Sequence, residues 1–210
     1  MSDTVIYGAG GLGCEVLDIL EQAATHRPVA FLDSDPQRGG TQLSGLPVLG
    51  GPERLDELLA SGVHCAIVAI GDNATRSALA ATLETRGFVL VSAIHPLASI
   101  SPSARLGRHV IIGPRATICV HARIGENALI SAGCIVEHDN VIGPGAFLGP
   151  AVRLAGGVTV EELARLEIGS SVIPGRRVGP GAVVRAGAVV IEDVPAGCVV
   201  TGVPARPRAG

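Results

Sequence analysis

Between Ile100 and Val190 the chain carries an aliphatic residue at every sixth position, in one phase and with no polar interruption. The series is Ile100, Leu106, Ile112, Ile118, Ile124, Ile130, Val136, Ile142, Leu148, Leu154, Val160, Leu166, Val172, Val178, Val184 and Val190. Two residues before the aliphatic the side chain is nearly always small, as at Ala104, Ala116, Ala122, Ala128, Cys134 and Ala146, with Asn140 and Arg176 as exceptions. A period of six is neither helical nor the simple alternation of a half-buried strand. It reads as one short strand and one bend per hexad, the repeat of a β-helix. Three strands per turn build a triangular prism lined by Ile, Leu and Val. The sixteen hexads predict about five coils, roughly 25 Å tall at the spacing of paired strands. Gly107, Gly113, Gly125, Gly143, Gly149 and Gly179 each follow the aliphatic, where a bend with positive φ is expected.

The first ninety residues follow other periods. An apolar run Val5–Tyr7, the segment Gly8-Ala9-Gly10-Gly11-Leu12-Gly13 and then Val16, Leu17, Ile19 and Leu20 at helical spacing predict strand, glycine loop and helix. Such a loop lets the backbone approach a phosphate, and a helix N-terminus offers free N–H groups and a favourable dipole. A second strand, Val29–Leu32, runs into Asp33-Ser34-Asp35-Pro36; Asp33 lies 20 residues beyond Gly13, where a dinucleotide fold places a carboxylate on a ribose hydroxyl. A helix around Glu53–Ala60, a strand Cys65–Ile70, a helix Ala74–Arg86 and a strand near Val89–Val91 complete the unit. The expected organisation is therefore a half-Rossmann βαβαβ domain over residues 1–95 and a parallel β-helix with a C-terminal cap over residues 96–210. The stretch 161–167 has the charge pattern of a helical turn, yet the hexad phase runs through it, so it is expected to remain a coil with unusual outward residues.

Composition narrows the function. The 210 residues include 29 Gly and only 2% aromatics, which suits a narrow aliphatic prism, and the net charge of −3 gives no electrostatic case for nucleic acid or an anionic membrane. No Lys occurs, which excludes lysine Schiff-base chemistry and leaves Arg for any charged phosphate contact. With no basic leader and no long apolar run, the expected location is the cytoplasm, and the five cysteines (Cys14, Cys65, Cys119, Cys134, Cys198) are expected as free thiols. His138 lies two positions after Val136, so it points outward. In Val136-Glu137-His138-Asp139 a carboxylate adjoins the imidazole, the arrangement of a general base; the alternative is an exposed histidine on a solvated corner.

The prism pattern resembles the left-handed β-helix of the hexapeptide-repeat acyltransferases. Along the whole chain, Gly8-Ala9-Gly10-Gly11-x-Gly13, Gly45-Leu46-Pro47-Val48-Leu49-Gly50, Ala69-Ile70-Gly71-Asp72-Asn73, Ile100-Ser101-Pro102-Ser103-Ala104, Val136-Glu137-His138-Asp139 and Gly202-Val203-Pro204-Ala205-Arg206 occur in the order seen in bacterial sugar O-/N-acetyltransferases. That family includes sialic acid O-acetyltransferase-like proteins and N-acetyltransferases of nucleotide-linked 4-aminosugars. The resemblance implies His138 as the base, Asp139 as its acidic partner and a homotrimer that binds acetyl-CoA between neighbouring prisms. It also implies the Gly156 N–H as oxyanion donor, with Phe147, Gly156, Ile168, Ala186 and Arg206 along the acyl-donor path. Gly10, Gly11, Leu12, Asp33, Ser34 and Gly71 would receive the nucleotide sugar, with UDP or GDP as the nucleotide. Three positions depart from the family: Leu12 where many relatives have His, Cys14 where they have a basic residue, and Phe147 where they often have a second His.

The implied activity is N-acetylation of a nucleotide-activated 4-amino-deoxysugar. O-acetylation of sialic acid or a related sugar makes the same demand on His138, and a non-catalytic nucleotide-binding trimeric scaffold is the reading from another class. A dehydrogenase is disfavoured, because only half a dinucleotide site is present. The repeats alone equally resemble γ-class carbonic anhydrases, but the H-x4-H pair of that family is absent. His109, His121 and His138 are therefore not expected to hold a metal.

Overall fold

The structure is a computed structural model and describes residues 1–207. It contains two compact units, one ending at Pro96 and the next beginning at Leu97.

The first unit is a four-stranded parallel sheet with helices. In chain order it runs β1 (Ser2–Tyr7), α1 (Gly11–Ala23), β2 (His26–Leu32), a small antiparallel hairpin β3 (Gln42–Leu43) and β4 (Leu46–Pro47), α2 (Leu55–Ala60), β5 (Cys65–Val68), α3 (Asn73–Thr85) and β6 (Val89–Leu90). Only the hairpin was absent from the sequence expectation; two-residue strands flanking Ser44-Gly45 leave no period to read. The order across the main sheet is β2-β1-β5-β6. Its core joins Val5, Tyr7, Leu32, Ala66 and Val68 to Leu55, Leu83 and Phe88, and α1 buries Val16, Leu17, Ile19 and Leu20. Because β1 leads to β2 on one side and is flanked by β5 on the other, the sheet reverses its winding between β1 and β5. Open α/β sheets bind ligands at such a switch point, beyond the carboxyl ends of the strands. The loop after β1 and the turn carrying Gly71 after β5 both lie there.

The second unit is the prism, a left-handed parallel β-helix. Sixteen two-residue strands run from Ser99–Ile100 to Val189–Val190, followed by a bridge at Val194 and the strand Val199–Thr201. Three per turn, they make about six turns among the described residues rather than five. The extra turn arises because Val194 pairs with Val178 and Val199 with Val183; the tail continues the helix before Arg206–Pro207 folds back antiparallel on Val200 and Thr201. One face stacks the strands that begin with Ser99–Ile100, a second those from Arg105–Leu106, and a third those from Ile111–Ile112. The register between successive turns is 18 residues, as in Ile118↔Val136 and Ile124↔Ile142. Ile112, Ile130, Leu148, Val160 and Leu166 are wholly buried in the interior stack, each contributing about 1.5–3 kcal/mol. Residues 161–167 form an ordinary coil, with Arg165–Leu166 as its strand.

The glycines divide into two kinds, which corrects the expectation drawn from their position. Positive φ occurs three residues after the aliphatic, at Gly133, Gly157 and Gly187 but also at His109, His121, Asn127, Asp139, Ala151 and Leu163. The glycines directly after the aliphatic serve another need. A Cβ on Gly143 would stand 2.5 Å from the Glu162 nitrogen and 2.6 Å from the Glu161 carbonyl carbon, both backbone atoms of the next turn. Gly143→Ala is therefore expected to destabilise the fold by about 1–3 kcal/mol, lowering the melting temperature by about 2–4 °C per kcal/mol. Gly187→Ala, with positive φ but open space around it, should cost less, about 1 kcal/mol. Equal melting temperatures for the two variants would contradict the distinction.

Candidate active site

The 18-residue register decides which side chains meet. Along the edge between the first and second faces, Pro102, Val120, His138 and Gly156 follow one another turn by turn, and beside them run Ser103, His121, Asp139 and Gly157. Backbone bonds fix this stacking: Asp139 N–H donates to the Val120 carbonyl at 3.1 Å and Gly157 N–H to the His138 carbonyl at 2.9 Å. Asn140 adds a side-chain tie. Its Oδ1, in the buried position that other hexads fill with a small residue, accepts the Val158 N–H at 2.5 Å. The turn carrying His138 and the turn carrying Gly156 are thus pinned together at the His138 carbonyl and at Asn140.

His138 and Asp139 each expose 58% of the side chain, and His138 Nδ1 lies 2.8 Å from Asp139 Oδ2. Asp139 occupies the left-handed corner at φ 59°, a conformation that Asp tolerates. With Nδ1–H donated to the carboxylate, Nε2 keeps its lone pair and can accept a proton. The other carboxylate oxygen, Oδ1, lies 3.3 Å from His121 Nδ1. The hydrogen bond from His138 holds the Asp139 carboxyl below the ordinary aspartate range, with that from His121 adding to it. Asp139 therefore stays ionised at neutral and mildly acidic pH. Gly156 completes the group. A Cβ there would collide with His138 Nε2 and stand 2.5 Å from Cε1, so the glycine backbone lies directly against the base nitrogen.

Sequence reasoning paired His138 with Asp139 but did not see His121 or Asn140 as part of the site. The signal was available, since His121 is one 18-residue turn before Asp139. His109 is not with them; it sits on the edge between the second and third faces, where its Nδ1 is 2.7 Å from Asn127 Oδ1.

The residues expected along the acyl-donor path do not converge within one chain. Gly156 shares the His138 edge. Ile168 and Ala186 stack on the edge between the third and first faces, joined by Gly187 N–H to the Ile168 carbonyl at 2.9 Å. Phe147 lies on the third face, opposite the His138 edge, with the Arg165 guanidinium 4.4 Å from its ring centroid. Arg206 is at the C-terminal end, 3.3 Å from Glu192.

In the first unit, Gly10 caps α1 and Gly11 begins it. A Cβ on Gly10, Gly11 or Gly71 would meet nothing within 4 Å, whereas one on Gly8 would stand 2.5 Å from the Ala69 carbonyl oxygen. Gly8 is therefore required by packing, and Gly10, Gly11 and Gly71 present open backbone. Leu12 follows in the first turn of α1, half-buried. Asp33 bridges the loops: its Oδ2 accepts Ala9 N–H at 2.8 Å and its Oδ1 accepts Asp35 N–H at 2.9 Å. Ser34 Oγ is 2.8 Å from the Tyr7 hydroxyl. Two arginines missed in the sequence shape these loops. Arg38 donates to the Ala9 carbonyl and lies 3.6 Å from Asp35, which places a cation at the glycine loop. Arg76, almost wholly buried, donates to the Ile70 carbonyl at 3.0 Å and steadies the turn before Gly71.

The PglD N-terminal domain family matches residues 3–83. The structure is similar over 100% of its length to PerB from Caulobacter crescentus in complex with CoA and GDP-perosamine, with 40% identity, 98% of that chain covered and a TM-score of 0.94. It is also similar to the acetyltransferase domain of PglB from Neisseria gonorrhoeae in complex with acetyl coenzyme A, with 29% identity, 98% of each chain covered and a TM-score of 0.92. Among curated proteins, 67 residues are 40% identical to 2,3,4,5-tetrahydropyridine-2,6-dicarboxylate N-acetyltransferase of Staphylococcus aureus; the match spans 31% of this chain and 28% of the length of that relative.

Proposed function

Because this chain belongs to the hexapeptide-repeat sugar acetyltransferase family, we propose that it transfers the acetyl group of acetyl-CoA to the amine of a nucleotide-activated 4-amino-deoxysugar. The observation that carries this reading is His138, with Nδ1 committed to Asp139 and Nε2 lying against Gly156. The sugar amine attacks the thioester carbonyl and gives a proton to His138 Nε2. Asp139 offsets the positive charge then on the ring. The oxyanion of the tetrahedral species accepts a hydrogen bond from the Gly156 N–H. Collapse breaks the carbon–sulfur bond, and the departing thiolate takes the proton from His138. The products are the sugar acetamide and CoA.

Gly10, Gly11, Leu12, Asp33, Ser34 and Gly71 receive the nucleotide. Open backbone at the switch point supports this, and Arg38, flanked by Asp33 and Asp35, adds a guanidinium at the loop. The complex of PerB with GDP-perosamine favours GDP over UDP as the carrier. Acetyl-CoA is the co-substrate, and the mechanism uses no metal. The donor path through Gly156, Ile168, Ala186, Phe147 and Arg206 is read as shared between subunits of a homotrimer. In support, these residues are spread over two edges, the third face and the C-terminal end of a single prism, so one chain alone does not bring them together. No helix among the described residues is long and apolar enough to cross a membrane, and we place the protein in the cytoplasm.

Ligand-induced stabilisation tests the substrate pair, because a ligand that binds only the folded chain raises its melting temperature by mass action. Acetyl-CoA and GDP should each raise it. A shift with acetyl-CoA but with neither GDP nor UDP would overturn the nucleotide-sugar reading.

A further inference from the structure

Next to the catalytic edge, on the N-terminal side of His138, a groove of about 570 Å³ is lined by Ser103, Arg105, His121, Arg123 and Asp139 among others. Arg105 and Arg123 are register partners on adjacent turns, about 4.8 Å apart along the ladder. Like charges placed directly opposite each other destabilise a sheet unless something neutralises them. Several other outward arginines on the prism meet carboxylates: Arg108 with Glu126 at 3.0 Å, Arg177 with Glu161 at 2.7 Å and Arg185 with Glu167 at 2.9 Å. Among the described residues Arg105 and Arg123 make no ion pair. The same column continues with Val141 and Thr159 and then Arg177, which pairs with Glu161, so within this column the unpaired arginines are the two at the groove.

We propose that Arg105 and Arg123 form a diphosphate-binding site in the groove beside His121 and Asp139. Two planar guanidiniums one rung apart present parallel N–H forks, which suit linked phosphates better than a single carboxylate. A diphosphate is present in both co-substrates of the proposed reaction, the nucleotide sugar and acetyl-CoA. The identification of those two carriers rests on the acyl-transfer reading; the site itself rests on the groove and the unpaired arginines.

The test titrates the full-length protein with inorganic pyrophosphate. Native protein and the control Arg153→Gln, altered at an exposed arginine outside the groove, should share a binding event that Arg105→Gln/Arg123→Gln weakens by about tenfold to a hundredfold, the loss expected for charged hydrogen bonds. An isotherm unchanged in the double variant overturns the proposal, as does loss of its native oligomeric mass, which would place the pair in a subunit contact. Steady-state kinetics then identify the carrier: a raised KM for the nucleotide sugar assigns the groove to the acceptor, and a raised KM for acetyl-CoA assigns it to the donor. If the native protein shows no acetyl transfer, the acyl-transfer reading fails while the pyrophosphate titration still decides the site.

Discussion

His138→Ala is expected to lower turnover by about 10² to 10⁴-fold while nucleotide-sugar affinity stays close to that of the native protein. The split follows from geometry. The imidazole is more than half exposed and its ring hydrogen bond goes to Asp139, so its removal deletes a proton acceptor without opening a cavity. The residues assigned to the nucleotide belong to the first unit and are untouched. Turnover numbers with saturating substrates, set beside a calorimetric titration of the nucleotide sugar, measure both halves. Unchanged turnover would remove His138 from the mechanism, and a parallel loss of affinity would make it a binding residue instead.

The second large effect is at Gly156. Its added Cβ would collide with His138 Nε2 and stand 2.5 Å from Cε1 and 3.1 Å from Cδ2. Here the atoms in the way are the end of an exposed side chain, unlike the backbone that confronts Gly143. The ring is therefore displaced from Asp139, and the turn itself holds. Gly156→Ala should lose about 10²-fold in turnover, the scale associated with a misplacement of about 1 Å, with little change in melting temperature. Combined with His138→Ala it should add almost nothing, because both changes remove the same function. Full additivity would show that Gly156 acts through something other than the imidazole.

Much of this architecture is legible in the amino-acid sequence because the hexad has one spatial meaning: an aliphatic at Ile112 or Leu148 can be buried in phase only by a prism. The bends are less legible. A glycine such as Gly143 and a corner residue such as Asp139 both mark turns, and only the stacked coils show that one avoids a clash and the other adopts positive φ. The site was half legible. His138 and Asp139 are adjacent in sequence, whereas His121, Asn140 and Gly156 reach the same place through the 18-residue pitch. In the first unit the Gly8–Gly13 loop and Asp33 could be found by spacing. Arg38 could not, since it reaches the loop across 29 residues from a segment without periodicity.

The central claim is acetyl transfer to a sugar amine with His138 as the base. Its most direct test follows thiol release and the mass of the nucleotide-sugar product in one reaction, with acetyl-CoA and a GDP-linked 4-amino-deoxysugar, for the native protein and for His138→Ala. The account predicts one thiol released per acetamide formed by the native protein, and a rate lower by at least about 10²-fold for the variant. Thiol release without an acetylated sugar, or faster acetylation of the matching 4-hydroxyl sugar, would contradict it.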